Sequence, residues 1–426
     1  MFRMLEPRSS DVFWLDAGAD AAEGWSFVGT GERSTLPGDV RLDVGALDPS
    51  SPPFSGGWVG WLDYESGAAA AGAPVAGIMD ADPGAWLRAT HVVAFDHERR
   101  RTWVLGIDDD LERWAAEIVS STQEHRGDAG SAPRDGSAEG ARRVAEARHD
   151  PGEYAALIER CRDLIRAGIA YQLCLTTRFT VAGAHDAVDV YERLRAATPA
   201  HHGGFVRIGD RTLLSASPEQ FLHAAGGVVR TRPIKGTRPR GADPVEDAAL
   251  AAQLAVDRKE RAENVMIVDL MRNDLSRVCV PGSIRVEGLW IVESYPAVHQ
   301  LVSTVSGVAA AGTTVAALLG AAFPAGSMTG APKLSAMTRL HQLEGGPRGI
   351  YAGCFGYIGV DGALDLAMVI RSIVIEREQA VVGAGGGITW GSIPSSEVAE
   401  VATKARAPLA ALGAEMPALW RSDILN

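Results

Sequence analysis

Strand-like segments separated by hairpin-length gaps constrain the fold of this chain more than any other feature of its sequence. Such strands are predicted within residues 56–65, 91–107, 353–360, 364–376 and 379–390. Helical periodicity is concentrated in other segments, namely 152–172, 247–278 and the residues from about 396 onward. Because strands grouped apart from helices are unlike the regular alternation of a doubly wound parallel sheet, the sequence predicts an α+β fold.

The composition is typical of a globular protein that acts on small molecules. Hydrophobic residues make up 46% and charged residues 22% of the 426 residues, enough for a sizeable core. The formal net charge of -12 argues against a nucleic-acid partner, because binding phosphate backbones needs a concentrated basic surface. The four cysteines are widely spaced, and the sequence contains neither a signal-peptide core nor an apolar stretch of membrane-spanning length. We therefore predict a cytoplasmic protein with reduced thiols.

Residues 120–150 differ in composition from the rest of the chain. They are rich in Gly, Ser, Ala and charged residues and almost free of large apolar side chains, as is typical of a linker. The sequence therefore predicts three parts: a β-rich N-terminal region at 1–119, a flexible linker at 120–150 and the main catalytic domain at 151–426.

Lysine is rare in this chain. Among 41 basic residues it occurs at four positions, Lys235, Lys259, Lys333 and Lys404. The stretch "RTRPIKGTRPRG" places Lys235 among four arginines. A desolvated amine can lose its proton and act as a base or nucleophile, which a guanidinium cannot do. Lys235 is therefore a candidate for covalent or base chemistry, with a solvated loop lysine as the alternative.

Two pairs of glutamates stand at helical spacing. They are Glu260 and Glu263 in "KERAEN", and Glu397 and Glu400 in "SEVAE". A three-residue spacing puts both carboxylates of a pair on one helix face. If the two helices face each other, a cation is needed between them, and oxygen ligands favour Mg²⁺. Ordinary surface pairing with Lys259 and Lys404 is the alternative.

Glu219, in "SASPEQF", and Lys235 lie on two strand-like segments, which the hairpin sequence "AAGG" joins. Such a hairpin would bring the carboxyl and the amine to one cavity. Apolar surroundings would raise the pKa of the Glu219 carboxyl and suit it to act as a general acid. An exposed glutamate at a strand end is the alternative.

Two glycine-containing segments and one histidine are further candidates. Residues 382–390, "VGAGGGITW", follow an apolar strand and would let backbone N–H groups approach an anion. A dinucleotide loop is disfavoured, because the segment extends and turns before the next helix begins. Residues 323–333, "FPAGSMTGAPK", suit oxygen recognition or a plain structural loop. His299, beside an apolar strand, is ambiguous between a structural and a catalytic role.

Taken together, these segments resemble the chorismate-utilising enzymes. The resemblance is dense between residues 151 and 409. The segments that carry it are "AYQLCL", "SASPEQF", "PIKGTRPRG", "AENVMIVDLMRNDLSRV", "HQLVSTVSG", "FPAGSMTGAPK", "YAGCFGYIG" and "GAGGGITW". More weakly, "PFSGGWVGWLDYE" resembles the N-terminal region of the family's amine-forming branches. The resemblance implies two packed antiparallel β-sheets flanked by helices, with the active site between the sheets.

The resemblance also implies roles for individual residues. Glu263 and Glu400 correspond to the direct Mg²⁺ ligands, with Glu260 and Glu397 in supporting positions, and the metal would hold the ring carboxylate of chorismate. Glu219 corresponds to the general acid that protonates the departing C4 hydroxyl. The positions assigned to substrate binding are Tyr351, Arg371, the Gly385 backbone, Lys404, Thr329, His299 and Gln172.

Two positions sort the branches of the family. Isochorismate and salicylate synthases resemble one another in having a lysine base where this chain has Gln172, and anthranilate synthases usually have a small residue where it has Lys235. A lysine at this second position is typical of the C4-aminating, aminodeoxychorismate branch, whose lysine amine occupies C2 in a covalent intermediate. Cys174 departs from the asparagine that is common in the family.

The resemblance therefore implies the branch that makes 4-amino-4-deoxychorismate from chorismate and ammonia, for p-aminobenzoate synthesis. Anthranilate synthase chemistry and a catalytically silent chorismate-binding subunit are the alternatives. The sequence shows no amidotransferase signature of the Cys-His-Glu kind, so a glutamine amidotransferase acting in trans is the expected ammonia source.

Overall fold

A computed structural model describes residues 1–19, 21–43, 51–76, 84–107, 111–124, 143–296 and 298–422. The strands are β1 (Val12–Asp16), β2 (Trp25–Ser34), β3 (Gly57–Leu62), β4 (Gly84–Asp96), β5 (Arg101–Gly106), β6 (Arg143–Val144), β7 (Glu146–Ala147), β8 (Gln172–Ala182), β9 (His202–Ile208), β10 (Arg211–Ser217), β11 (Gln220–Ala225), β12 (Val228–Thr231), β13 (Ile234–Pro239), β14 (Arg285–Ser294), β15 (Val298–Val308), β16 (Gly330–Ala331), β17 (Cys354–Gly359), β18 (Leu364–Met368), β19 (Ser372–Glu376), β20 (Gln379–Ile388) and β21 (Ala414–Glu415). The helices are α1 (Phe2–Leu5), α2 (Tyr64–Ala70), α3 (Leu111–Glu124), α4 (Pro151–Arg166), α5 (Ala187–Ala197), α6 (Pro244–Val256), α7 (Arg258–Ser276), α8 (Val315–Ala322), α9 (Lys333–Glu344), α10 (Pro394–Ala411) and α11 (Ala418–Ser422).

Two series of antiparallel strands share the long strand β4. The first series runs β5, β4, β2, β1, β9, β10, β19, β20 and β8. The second runs β4, β3, β17, β18, β11, β12 and β15, with β13 and β14 also pairing with β15. Because β4 is 13 residues long, it can pair with β3 near its start and with β2 and β5 further along.

The two series pack face to face. Side chains from both fill the space between them, including Phe13 and Val206 from the first series and Trp61 and Tyr357 from the second. Helices α4, α5 and α10 cover the outer face of the first series, and α7 and α8 cover that of the second. The predicted α+β fold of two packed antiparallel sheets flanked by helices is confirmed.

Strands from the predicted N-terminal region are interleaved with strands from the predicted catalytic domain. β1 pairs with β9, and β3 pairs with β17. Residues 125–142 of the predicted linker lie outside the described residues, and its ends contribute to α3, β6 and β7. The three-part division of the chain remains a prediction.

Two predicted elements are interrupted in the structure. The helix predicted over 247–278 is two helices, α6 and α7, because Asp257 has an extended backbone and its side chain caps α7 by accepting from the Lys259 and Glu260 amides. The strand predicted over 364–376 is split into β18 and β19 around Arg371, whose φ of 52° lies in the left-handed region.

No helix among the described residues is long and apolar enough to cross a membrane. The four cysteines are all buried and carry free thiols.

Candidate active site

A cavity of about 500 Å³ lies between β13 and β20, with α7 and α10 contributing to its wall. We call it the central cavity. Ten of the predicted site residues line it: Glu219, Lys235, Glu260, Glu263, Tyr351, Arg371, Gly385, Glu397, Glu400 and Lys404. The fold thus gathers residues from seven separate stretches of sequence around one space.

The glycine run of β20 forms one wall of the central cavity. Beyond Val382, β20 pairs with β8 and no longer with β19, so the opposite edge of Gly383 to Gly387 is open. A Cβ atom at Gly386 would lie 3.2 Å from Glu397 Oε2, and one at Gly387 would lie 3.3 Å from Lys235 Nζ. Any larger residue would therefore fill the space between these side chains, and the open edge fits the predicted approach of anions to the backbone.

Lys235 and Gln172 flank the same glycine. A Cβ atom at Gly387 would lie 2.9 Å from Gln172 Nε2, on the side where it also meets Lys235 Nζ. Gln172 is fully buried, yet neither its Oε1 nor its Nε2 has a hydrogen-bond partner within the described part of the chain. Since buried amides are almost always hydrogen-bonded, this amide beside Lys235 has donor and acceptor capacity to offer a ligand.

Glu219 occupies the bend between β10 and β11 and is 8% exposed. Its Oε1 accepts a hydrogen bond of 2.9 Å from the Ser327 hydroxyl. Burial raises the pKa of the Glu219 carboxyl, and this outweighs the opposing effects of Ser327, Lys235 and Lys404. A carboxyl that keeps its proton to higher pH is suited to donating that proton to a leaving group.

The four predicted metal-site glutamates come from the first two turns of two helices. Asp257 caps α7, which places Glu260 and Glu263 one turn apart. Glu397 and Glu400 have the same spacing near the start of α10. Lys259 bridges the two helices, because its Nζ lies 3.8 Å from Glu263 Oε1 and 3.6 Å from Glu397 Oε1.

The charges of these carboxylates depend on burial and on nearby lysines. Burial raises the pKa of Glu263, although Lys235 and Lys259 oppose the shift, and burial likewise raises the pKa of Glu260. Burial alone would also raise the pKa of Glu400, but Lys404, whose Nζ is 2.7 Å from Glu400 Oε1, reverses the shift and lowers it.

The fit of this cluster to a metal ion rests on its donors. In the described part of the chain, no three Asp, Glu, His or Cys side chains converge as a ready metal-binding group. However, Glu263 Oε1 is buried without a hydrogen-bond partner, and the Lys259 ammonium stands between Glu263 and Glu397. Carboxylate oxygens arranged around a positive charge are the donors that Mg²⁺ prefers, so the residues fit this ion.

Groups suited to binding carboxylates line the same cavity. Lys404 Nζ donates to the Gly385 carbonyl at 2.8 Å. Arg371 has a left-handed backbone conformation, which is uncommon for a residue other than glycine and is enriched at functional sites. Burial raises the pKa of the Tyr351 hydroxyl, which therefore stays a neutral hydrogen-bond donor.

Three predicted residues do not line the central cavity, namely Gln172, His299 and Thr329. His299 is buried, with Nε2 3.0 Å from Asp247 Oδ1 and Nδ1 2.8 Å from the Ser294 hydroxyl. Thr329 is also buried, and its hydroxyl donates to the Ala325 carbonyl at 3.1 Å. Both side chains use their polar atoms inside the fold, and their immediate neighbours Gln300 and Met328 line the cavity instead.

Three further residues contribute to the site, although the sequence did not predict them as catalytic, binding or metal-site residues. Ser327 holds Glu219, and Lys259 bridges the two helices that carry the glutamates. Arg238 lies 2.8 Å from Asp257 Oδ2 and 3.8 Å from Glu260 Oε1. The rarity of lysine was a signal for Lys259, since three of the four lysines line the central cavity.

A second cavity, of about 690 Å³, lies between the sheets and contains none of the predicted site residues. Histidines and acidic residues line much of it, including His201, His202, His223, Asp16 and Asp365. The convergence of the predicted residues, and not cavity size, therefore identifies the candidate active site.

Comparisons with known proteins agree with this geometry. Residues 34–410 match the family described as chorismate binding enzyme. The chain is 41% identical over 408 residues to an aminodeoxychorismate synthase of Streptomyces pristinaespiralis, covering 90% of this chain and 56% of that protein. It is 38% identical to anthranilate synthase component 1 of Streptomyces coelicolor, covering 85% of this chain and 74% of that protein.

A solved structure is similar over nearly the whole chain. The crystal structure of anthranilate synthase component I from Streptococcus pneumoniae superposes with a TM-score of 0.75 and 28% identity, covering 92% of this chain and 93% of that one. The chain spans about half the length of the aminodeoxychorismate synthases that it matches.

Proposed function

The chain belongs to the chorismate-binding enzyme family, and we propose that it converts chorismate and ammonia to 4-amino-4-deoxychorismate, the precursor of p-aminobenzoate in folate synthesis. The 41% identity to an aminodeoxychorismate synthase supports this assignment. The observation that carries it is that Lys235 and Glu219 line one cavity, together with the four glutamates of α7 and α10. An amine nucleophile and a proton donor therefore share a site with a cluster suited to a cation.

Lys235 is the proposed nucleophile. Its amine bonds to C2 of chorismate while the ring double bonds shift and the C4–O bond breaks. Glu219 gives its proton to the departing hydroxyl, which leaves as water, and the alkylated amine loses one proton. Ammonia then adds at C4 and loses a proton, the double bonds shift back, and Lys235 is released with its proton restored. The sum is chorismate plus ammonia giving 4-amino-4-deoxychorismate plus water.

The remaining residues bind and orient the substrate. Arg371, Lys404 and the open backbone edge at Gly385 provide positive charge and N–H donors for the two carboxylates of chorismate. The Tyr351 hydroxyl can donate to the same groups. The unsatisfied amide of Gln172 is available to a ligand beside Lys235, which suits contact with the ring near C2.

The glutamates are the proposed Mg²⁺ site. Glu263 and Glu400 would hold the ion directly, and Glu260 and Glu397 would support it. When bound, Mg²⁺ supplies the positive charge that fixes the ring carboxylate of chorismate and offsets the charge that develops as the C4 hydroxyl departs.

Anthranilate synthase activity is the second candidate, since a relative of that name is 38% identical. Anthranilate formation places the new amino group at C2. Lys235 stands at the glycine wall where that carbon would lie in our proposal, so the geometry favours amination at C4. That relative is named as component 1, which suggests a separate subunit. A glutamine amidotransferase acting in trans is the proposed source of ammonia for this chain.

Product identification tests the proposal. The purified chain is incubated with chorismate, Mg²⁺ and an ammonium salt, and the products are resolved by liquid chromatography and mass spectrometry. We expect 4-amino-4-deoxychorismate and no anthranilate, and we expect glutamine to replace ammonium only when an amidotransferase is added. Release of anthranilate would assign the chain to the other activity.

Omitting ammonia tests the covalent step. We expect a protein adduct with the mass of chorismate less water, which peptide mapping locates at Lys235. Adding ammonia should discharge it as the C4-aminated product. An adduct at Lys259, Lys333 or Lys404 would refute the assignment of the nucleophile.

A further inference from the structure

We propose that Lys259 is a built-in counter-cation, which holds the glutamates of α7 and α10 together in the metal-free protein and must leave when Mg²⁺ binds. This inference rests on the metal site of the proposed function. The Lys259 ammonium lies 3.8 Å from Glu263 Oε1 and 3.6 Å from Glu397 Oε1. Both distances exceed a normal hydrogen bond, so the amine sits between two carboxylates without being committed to either.

Lys259 matters because it is the one cation within ion-pair distance of Glu263 and Glu397 among the described residues. Glu263 Oε1 is buried with no hydrogen bond to any described residue, and the Glu397 side chain is 5% exposed. Two nearly buried carboxylates facing one another repel unless a cation lies between them. Lys259 supplies that charge across the gap, and therefore joins two helices that are far apart in sequence.

The Lys259 side chain can also move away from the two glutamates without disturbing the fold. Its side chain is 53% exposed, so it can rotate into solvent. Its backbone amide, which donates to Asp257 Oδ1 at 2.9 Å, keeps the start of α7 in place during that rotation. The other lysine at this end of the cavity is less free, since Lys404 Nζ contacts both Glu400 Oε1 at 2.7 Å and the Gly385 carbonyl at 2.8 Å.

Lysine and metal therefore compete for the same oxygens. An ion that binds Glu263 must displace the Lys259 ammonium, and the lost ion pairs subtract from its affinity. Two partly exposed ion pairs correspond to about a fivefold to tenfold change in an equilibrium constant. The native lysine thus weakens Mg²⁺ binding in exchange for a stable metal-free site.

Isothermal titration of metal-stripped protein with Mg²⁺ tests this competition. We expect Lys259→Met to bind Mg²⁺ about fivefold to tenfold more tightly than the native protein, with the difference shrinking at high salt. In chelator, the same variant should melt at a lower temperature than the native protein, and Mg²⁺ should remove the difference. Lys259→Arg keeps the charge and should resemble the native protein in both measurements.

Arg258→Met is the matched control, since it removes an exposed positive charge one residue away. An equal gain in Mg²⁺ affinity for Arg258→Met would show a net-charge effect and overturn the inference. Equal or weaker Mg²⁺ binding by Lys259→Met would also overturn it, while leaving the proposed function intact. If the native protein binds no Mg²⁺, the proposed metal site fails and the inference fails with it. Should Lys259→Met not fold, Lys259→Gln carries the same test.

Discussion

Lys235 and Lys333 are both lysines in an arginine-rich chain, but their surroundings differ. Lys333 is 15% exposed, and its Nζ donates to Asp274 Oδ2 at 2.8 Å and to the Ala322 carbonyl at 2.9 Å. Lys235 lines the central cavity and has no hydrogen-bond or ion-pair partner among the residues that the structure describes. The comparison shows that a lysine available for chemistry differs from a structural lysine mainly in the hydrogen bonds and ion pairs that its Nζ leaves unformed. Burial and residue type distinguish the two less well.

The largest expected effect sharpens this comparison. Lys235→Ala should lower the rate of product formation by about 10⁴-fold or more, because the nucleophile is lost. Lys333→Met should instead lower the free energy of unfolding by about 3–5 kcal/mol, because it leaves the nearly buried Asp274 without its partner.

Steady-state rates and urea unfolding curves measure both effects. Lys235→Ala should unfold like the native protein, and folded Lys333→Met should keep its activity. The assignment of Lys235 to chemistry and Lys333 to structure is wrong if Lys235→Ala stays active, or if Lys333→Met loses activity while its stability is unchanged.

Glu219→Gln should have the next largest effect. The amide cannot donate the proton that the leaving hydroxyl needs, so we expect the rate to fall by about 10²–10⁴-fold. Ser327→Ala removes only the hydrogen bond to Glu219 Oε1 and should reduce the rate far less. Adduct formation without ammonia, followed by mass spectrometry, measures this step alone. Native adduct formation by Glu219→Gln would show that the proton comes from another group.

Gly387→Ala probes the wall beside Lys235. The added methyl would lie 2.9 Å from Gln172 Nε2 and 3.3 Å from Lys235 Nζ. We expect kcat to fall by about tenfold through misplacement of the amine, with little loss of stability. Gly391→Ala, where an added methyl contacts nothing, is the control. If both variants turn over at the native rate, the glycine wall does not set the position of Lys235.

The smallest expected effect is a pH dependence of stability. Burial raises the folded-state pKa of Glu219 above its ordinary value of 4.5, so the folded state binds this proton more tightly than the unfolded state does. The stability from this proton is fully present below pH 4.5 and is lost as pH rises through the folded-state pKa. Glu219→Gln should therefore gain stability relative to the native protein across that window, measured by urea unfolding at several pH values. A constant difference would contradict the raised pKa.

The sequence predicted the positions of helices and strands better than it predicted where one element ends and the next begins. The strands around residues 96–100 follow from apolar segments and turn chemistry that are local to the sequence. The break at Asp257 was missed because residues that favour a helix continue on both sides of it, although Asp257 followed by Glu260 is typical of a helix start.

The contacts within the site show the same limit. The spacing of Lys259 and Glu263 predicts their pairing, because four residues make one helical turn. The contact of Lys259 with Glu397 depends on how α7 and α10 meet in space, which no local pattern encodes. Likewise, the buried environment of His299 follows from its neighbours Asp247 and Ser294, and only the folded structure brings Asp247 to it.

The pairing of β3 with β17 has a consequence for synthesis of the chain on the ribosome. Trp61, near the end of β3, lies opposite Phe355, about 300 residues later in the sequence. At ordinary translation rates, β3 waits about 15–60 s for its partner to emerge. During that time an apolar strand with an unpaired edge is open to contacts with other nascent chains. The first strand to leave the ribosome on this side of the molecule thus keeps one edge unpaired until synthesis is nearly complete.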